Sequence, residues 1–171
     1  YKVVVEKYTA LPASKETSLP ADMGKTFIVF SDDLDKVLAT FVLANGAAAT
    51  GKKVTLFFTF WGLNAIKKVH KPRVEKDIFG RMFGWMLPSH SRKLKLSKMS
   101  MGGIGGKMMR YIMNRKGIDS LESLRQQALE NGVEFIACQM SMDVMGVKQE
   151  ELLDEVTIGG VATYMERADN A

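Results

Sequence analysis

The chain has 171 residues, enough for one domain with a full core. Its 46% hydrophobic and 25% charged residues exclude a wholly disordered chain, and no run of about 18 apolar residues is present to span a bilayer. The net charge of +5 hides an asymmetry: residues 70–116 hold twelve Lys/Arg against only Glu75 and Asp77, and the rest of the chain is acidic.

Residues 1–23 read as a tail or linker, with a short VVV strand pattern followed by two prolines and many small polar residues. The start, YKVVVEKY, lacks the basic, apolar and cleavage regions of a signal peptide, so none is expected. It also lacks an initiator Met, which fits a fragment or a processed chain. Residues 24–171 form the expected domain.

KTFIVFS (25–31) is an apolar run suited to a buried strand. Ser31 or Asp32 can cap the helix that follows, whose apolar residues Leu34, Val37, Leu38, Phe41 and Val42 keep helical spacing. Gly51 marks its end, and KKVTLFFTF (52–60) is a second continuous strand. Strand, helix and strand with short links make a βαβ unit, and continuous apolar strands imply a parallel sheet covered on both faces.

WGLNAIKKV (61–69) predicts a short helix. The pattern then breaks over 70–116, which carries seven Met, six Gly and Trp85 among its cations. It resumes with a helix over 120–132, capped by Ser120 and closed by Gly132, and a buried strand over 133–139. A short helical stretch over 140–154, a strand over 155–160 and a C-terminal helix follow. The expected fold is α/β in three layers: a central, mainly parallel sheet of four to five strands with helices on both faces, flavodoxin-like in architecture.

The chain's one cysteine, Cys138, stands at the carboxyl end of a predicted parallel strand, the edge where α/β sheets bind ligands. Backbone N–H groups of the next helix would favour its thiolate there, with Ser141 as a cap; Asp143, placed in the first turn, opposes this. The same residue would serve equally as a small buried hydrophobe. Ser31, Asp32 and Asp33 end the first strand at the same edge, where they either line a cleft with Cys138 or simply cap a helix. Thr59, Phe60, Trp61 and Gly62 end the second strand there, as an aromatic wall around the thiol or as ordinary packing. The expected cleft is Ser31, Asp32, Phe60, Trp61, Gly62, Ser141, Met142 and Asp143 around Cys138.

GGIGGK (102–107) fails as a phosphate loop, because Met101 and Met108 stand where Gly and Ser/Thr are needed; it reads as a hinge. One Cys with His70 and His90, at no ligand spacing, makes no metal site expected. The basic, Met-rich insert suits an adaptable partner surface or peripheral contact with an anionic membrane, or amphipathic helices folded over the sheet. Nucleic acid is not expected, since stacking aromatics are few. A single Cys and no export signal favour a reducing cytoplasm.

Residues 25–68, the Met-rich basic stretch, VEFIACQMSMDVMGV and VTIGGVATYM together resemble the DsrE/DsrF-like sulfur-relay family, over roughly residues 24–169. The resemblance is to the branch associated with rhodanese, TusA-like and disulfide-reductase domains, and YKVVVEKY resembles the last strand of a TusA-like module. It implies a homo-oligomer in which Cys138 accepts sulfane sulfur as a persulfide and relays it, a sulfurtransferase-like activity needing no cofactor. Donor and acceptor would be rhodanese-like, TusA-like or disulfide-reductase proteins. Some members use a second cysteine, which this chain lacks, and no Thr-x-x-Cys precedes Cys138 to support peroxidase chemistry. The alternatives are a non-catalytic module whose insert docks a redox partner or a membrane, and a flavodoxin-like domain that binds a nucleotide or flavin.

Overall fold

The structure, a computed structural model, describes residues 23–69, 74, 78–98, 101–169 and 171. The N-terminal strand pattern and His70 lie outside the described residues.

Among the described residues, four strands form one parallel sheet in the order β1 (Lys25–Val29), β2 (Val54–Phe58), β3 (Glu134–Cys138), β4 (Thr157–Gly159). Ile28 aligns with Phe57 and Phe57 with Ile136, while Cys138 aligns with Gly159. A parallel sheet that grows in one direction by right-handed crossovers puts its crossover helices on one face. Accordingly α1 (Leu34–Ala49) and α4 (Leu121–Glu130) pack on the same side, over a core of Leu56, Phe58, Phe135 and Ala137. There Phe41 of α1 meets Phe58 and Phe135, with ring centroids 6.3 and 5.7 Å away. The opposite face carries Phe57, Ile136 and Cys138, against which Tyr164 of the C-terminal helix α6 (Val161–Asp169) packs, so among the described residues helices lie on both faces but unequally.

Local chemistry explains most boundaries. Ser120 caps α4 by accepting from the Ser123 amide at 3.1 Å. Thr50 ends α1, and Gly51 follows with a φ of 77° that favours glycine. The cap of α1 is Asp33, not Ser31 or Asp32. Its side chain makes no cap bond; instead the Ser31 hydroxyl accepts from the Asp33 amide and donates to its carboxylate.

The 61–69 helix is a 3₁₀ helix over Phe60–Ile66. It is pressed against β1 at Gly62, where a Cβ would lie 1.9 Å from the Val29 carbonyl oxygen. Arg125 of α4 is buried beneath it and donates to the Ala65 carbonyl at 2.8 Å. The described residues of the basic segment include the α-helices α2 (Ile78–Met86) and α3 (Ile104–Arg115). GGIGGK is only in part the expected hinge. Gly102 and Gly103 turn into α3 with φ of 68° and 98°, but Gly105 and Gly106 are helical and buried, Gly106 facing the Leu94 carbonyl.

Candidate functional site

Cys138 is the last residue of β3 and the N-cap of α5 (Gln139–Met145). Strand alternation decides where its side chain goes. Ala137 faces the main core, so Cys138 faces the other side, with Phe57 and Ile136. The thiol is 2% exposed, and Tyr164 of α6 packs against this small cluster. Tyr164 lies over Phe57, ring centroids 4.9 Å apart, and donates to the Thr26 hydroxyl at 3.3 Å. Beyond that, α6 is held by the Arg167–Glu134 ion pair at 3.0 Å, and none of its residues is buried.

Ser141 is not a cap. It sits one turn into α5, fully buried, and its hydroxyl lies 2.7 Å from that of Thr59 at the end of β2. This bond ties the helix after Cys138 to the neighbouring strand end. Met142 turns into the main core beside Met145. Asp143 lies beyond the first turn, exposed, and accepts from Gln139 at 3.0 Å.

The other strand ends surround a different space. Asp32, Asp33 and Trp61 line a cavity of about 980 Å³ between the end of β1 and the basic segment, and Cys138 is not among its lining residues. Its far wall includes Trp85, Leu87, Leu94, Lys95 and Arg110. Phe60 lies beside Trp61, centroids 6.4 Å apart, half-exposed, with a left-handed φ of 46°. Of the residues expected to enclose the thiol, Trp61 lines this cavity, and neither Phe60 nor Trp61 is in the thiol's packing cluster.

Electrostatics distinguish the two carboxylates at the end of β1. Burial raises Asp32 above the ordinary carboxylate value, against the lowering by a 2.9 Å bond from Asn64. Asp33 is ion-paired with Lys36. On the first turn of α1, burial would raise Asp35, but two bonds from Ser97, at 2.6 and 2.8 Å, hold it below the usual range. With the Leu34 amide donating to the Lys95 carbonyl at 2.7 Å, they fasten the basic segment onto α1. Across the cavity, burial lowers Arg110 despite the attraction of Glu122. Among the described residues, no group of three or more His, Cys, Asp or Glu could hold a metal ion.

Sequence reasoning missed Tyr164, although its position in the C-terminal helix after a strand aligned with Cys138 was the available signal. It also missed Ser97 and Arg110, which depend on how the insert folds back.

Residues 22–171 match the model of the DsrE/DsrF/DrsH-like family. The chain is 42% identical over 144 residues to the uncharacterized protein YrkE of Bacillus subtilis, covering 84% of this chain and 90% of that one. It is 37% identical over 145 residues to the sulfur carrier protein DsrE2 of Allochromatium vinosum, covering 82% and 89%. Among solved structures, the ychN protein of E. coli is similar with a TM-score of 0.48 at 13% identity, covering 87% of this chain and 95% of that one.

Proposed function

The chain belongs to the DsrE/DsrF/DrsH-like family, and we propose that it is a sulfur carrier that holds sulfane sulfur on Cys138. The observation that carries this is the place of its one cysteine, at the carboxyl end of a central parallel strand and at the cap of the next helix. The similarity to a protein named as a sulfur carrier supports it.

The Cys138 thiolate attacks the outer sulfur of a donor persulfide or polysulfide. The new S–S bond leaves Cys138 as Cys–S–SH, and the donor departs as a thiolate that takes up a proton. An acceptor thiolate then attacks the outer sulfur and takes it as its own persulfide, and Cys138 returns as the thiol. Sulfur moves without net oxidation or reduction, and no second cysteine is required. The rate depends on thiolate fraction and on access.

Access is the step this fold controls. A thiol that is 2% exposed cannot meet a donor sulfur until its cover opens. Tyr164 packs against the same small cluster, over Phe57, from a helix with no buried residue, and elements with so little burial open at low cost.

The thinly covered sheet face suits a second copy of the chain, since Ile28 there is 50% exposed and Phe30, just beyond β1, is 66% exposed. Donor and acceptor are proteins of the rhodanese-like, TusA-like or disulfide-reductase kind, drawn to the basic segment by acidic surfaces. The compartment is the cytoplasm, where a lone thiol stays reduced.

The test is the intact mass of the chain before and after polysulfide, alongside Cys138→Ser. Gain of whole sulfur atoms, reversed by reductant and absent from the variant, is the expected result. The second reading is a non-catalytic docking module. The burial of Cys138 favours it, together with apolar side chains such as Trp85, 90% exposed on α2. It requires that folded protein take up no sulfur.

A further inference from the structure

We propose that the cavity beneath the basic segment binds a phosphorylated small molecule with an aromatic body and hydroxyl groups, of the nucleotide class. At about 980 Å³ it lies at the upper end of the range of small-molecule sites, roughly 300–1,000 Å³.

Its charge is out of balance. Among the described residues, Arg92, Lys93, Lys95, Lys107 and Arg110 line it against two carboxylates, Asp32 and Asp33. Asp33 is engaged by Lys36, whereas among the described residues none of Arg92, Lys93, Lys95 and Lys107 has an acidic partner. Arg110 is partly buried and donates to the neutral Ser91 carbonyl at 3.2 Å, with Glu122 near enough to attract it. Cations gathered on one concave wall attract a polyanion, and each gains from its arrival.

The rest of the lining says what else the ligand carries. The chain has two tryptophans, and both, Trp61 and Trp85, line this cavity with Met86, Leu87 and Leu94. Such a surface accepts a flat apolar ring. Asp32, at the end of β1, is bonded through one oxygen to Asn64 and offers acceptor capacity to a hydroxyl or amine. Phosphate against the cationic wall, ring among the tryptophans and hydroxyls toward Asp32 make use of all three. Gly103 and Gly106 bring GGIGGK into the same wall, so the glycine-rich stretch belongs to a cavity and not to a Walker loop. No feature of Cys138 enters the proposal.

The two tryptophans make the test direct. Tryptophan emission of the full chain is followed on titration with ADP, GDP and UDP in turn, with adenosine and inorganic pyrophosphate as controls. A saturable change with at least one diphosphate is expected, at concentrations at least tenfold below those needed for either control. The double variant Lys93→Gln/Lys95→Gln, at exposed positions, is expected to weaken binding at least tenfold with an unchanged melting temperature. Cys138→Ser is expected to bind as the wild type does. No saturable change at millimolar diphosphate overturns the proposal. So does pyrophosphate binding as tightly as the nucleotides, which would mark attraction by charge alone, or a double variant that binds normally.

Discussion

Tyr164 lies over Phe57, ring centroids 4.9 Å apart, in the small cluster that also holds the buried Cys138, and its helix has no buried residue. Removing the ring opens the packing of that cluster. In Tyr164→Ala, alkylation of Cys138 by iodoacetamide is expected at least tenfold faster than in the wild type, read by mass under native conditions. Tyr164→Phe keeps the ring over Phe57 and loses only the 3.3 Å bond to Thr26, so it is expected to stay within about threefold of the wild type.

Ser141 and Thr59 meet at 2.7 Å, with Ser141 fully buried. Ser141→Ala leaves the Thr59 hydroxyl without this partner. A loss of about 1–2 kcal/mol in urea unfolding is expected, with faster alkylation of Cys138, since this bond fastens the helix that Cys138 caps. A variant as stable as the wild type would show that the bond does not hold α5.

Gly62 and Gly46 test where glycine is required. A Cβ at Gly62 would overlap the Val29 carbonyl at 1.9 Å, and backbone cannot yield cheaply. Gly62→Ala is expected to cost about 3 kcal/mol or more, or to prevent folding. Gly46, inside α1, has nothing within 4 Å of its Cβ position, and Gly46→Ala is expected to be neutral or to stabilise by up to about 1 kcal/mol. Thermal and urea unfolding of the two variants compare them directly.

Asp35 and His90 each contribute to the acid side of stability. Ser97 holds Asp35 below its ordinary value of 3.8 in the fold, outweighing the raising effect of burial. The unfolded chain then binds the proton more readily, so the stabilisation is complete above that value and is lost as pH falls through the folded one. The stability gap between wild type and Asp35→Asn is expected to narrow over that window. His90 is lowered from 6.5 by burial and by Lys93 and Arg92, so its neutral form suits the fold. Its contribution is full above pH 6.5 and declines below, and His90→Gln is expected to flatten the melting-temperature profile there.

The order of elements was legible because continuous apolar strands alternate with helical spacing, and β1 through β4 fall within the predicted runs. The position of Cys138 at a strand's carboxyl end was legible for the same reason. Which face its side chain takes follows from alternation against Ala137, yet what covers that face depends on Tyr164, 26 positions on, which no local pattern reveals. From sequence Trp61 reads either as a wall around the thiol or as ordinary packing, because strand ends of a parallel sheet share an edge. An edge has two sides, and the insert, whose helices lack a strand-like signature, builds its cavity on the side of Asp32 and Trp61. Ser141 is not the cap that the sequence suggests because the helix begins earlier, directly after Cys138.

The central claim is tested most directly by intact mass after polysulfide treatment of the folded chain and of Cys138→Ser. A gain of one or more sulfur atoms, removed by reductant and absent from the variant, is expected, with a higher rate in Tyr164→Ala. An unchanged mass in both the wild type and Tyr164→Ala, with each shown to be folded, would contradict it.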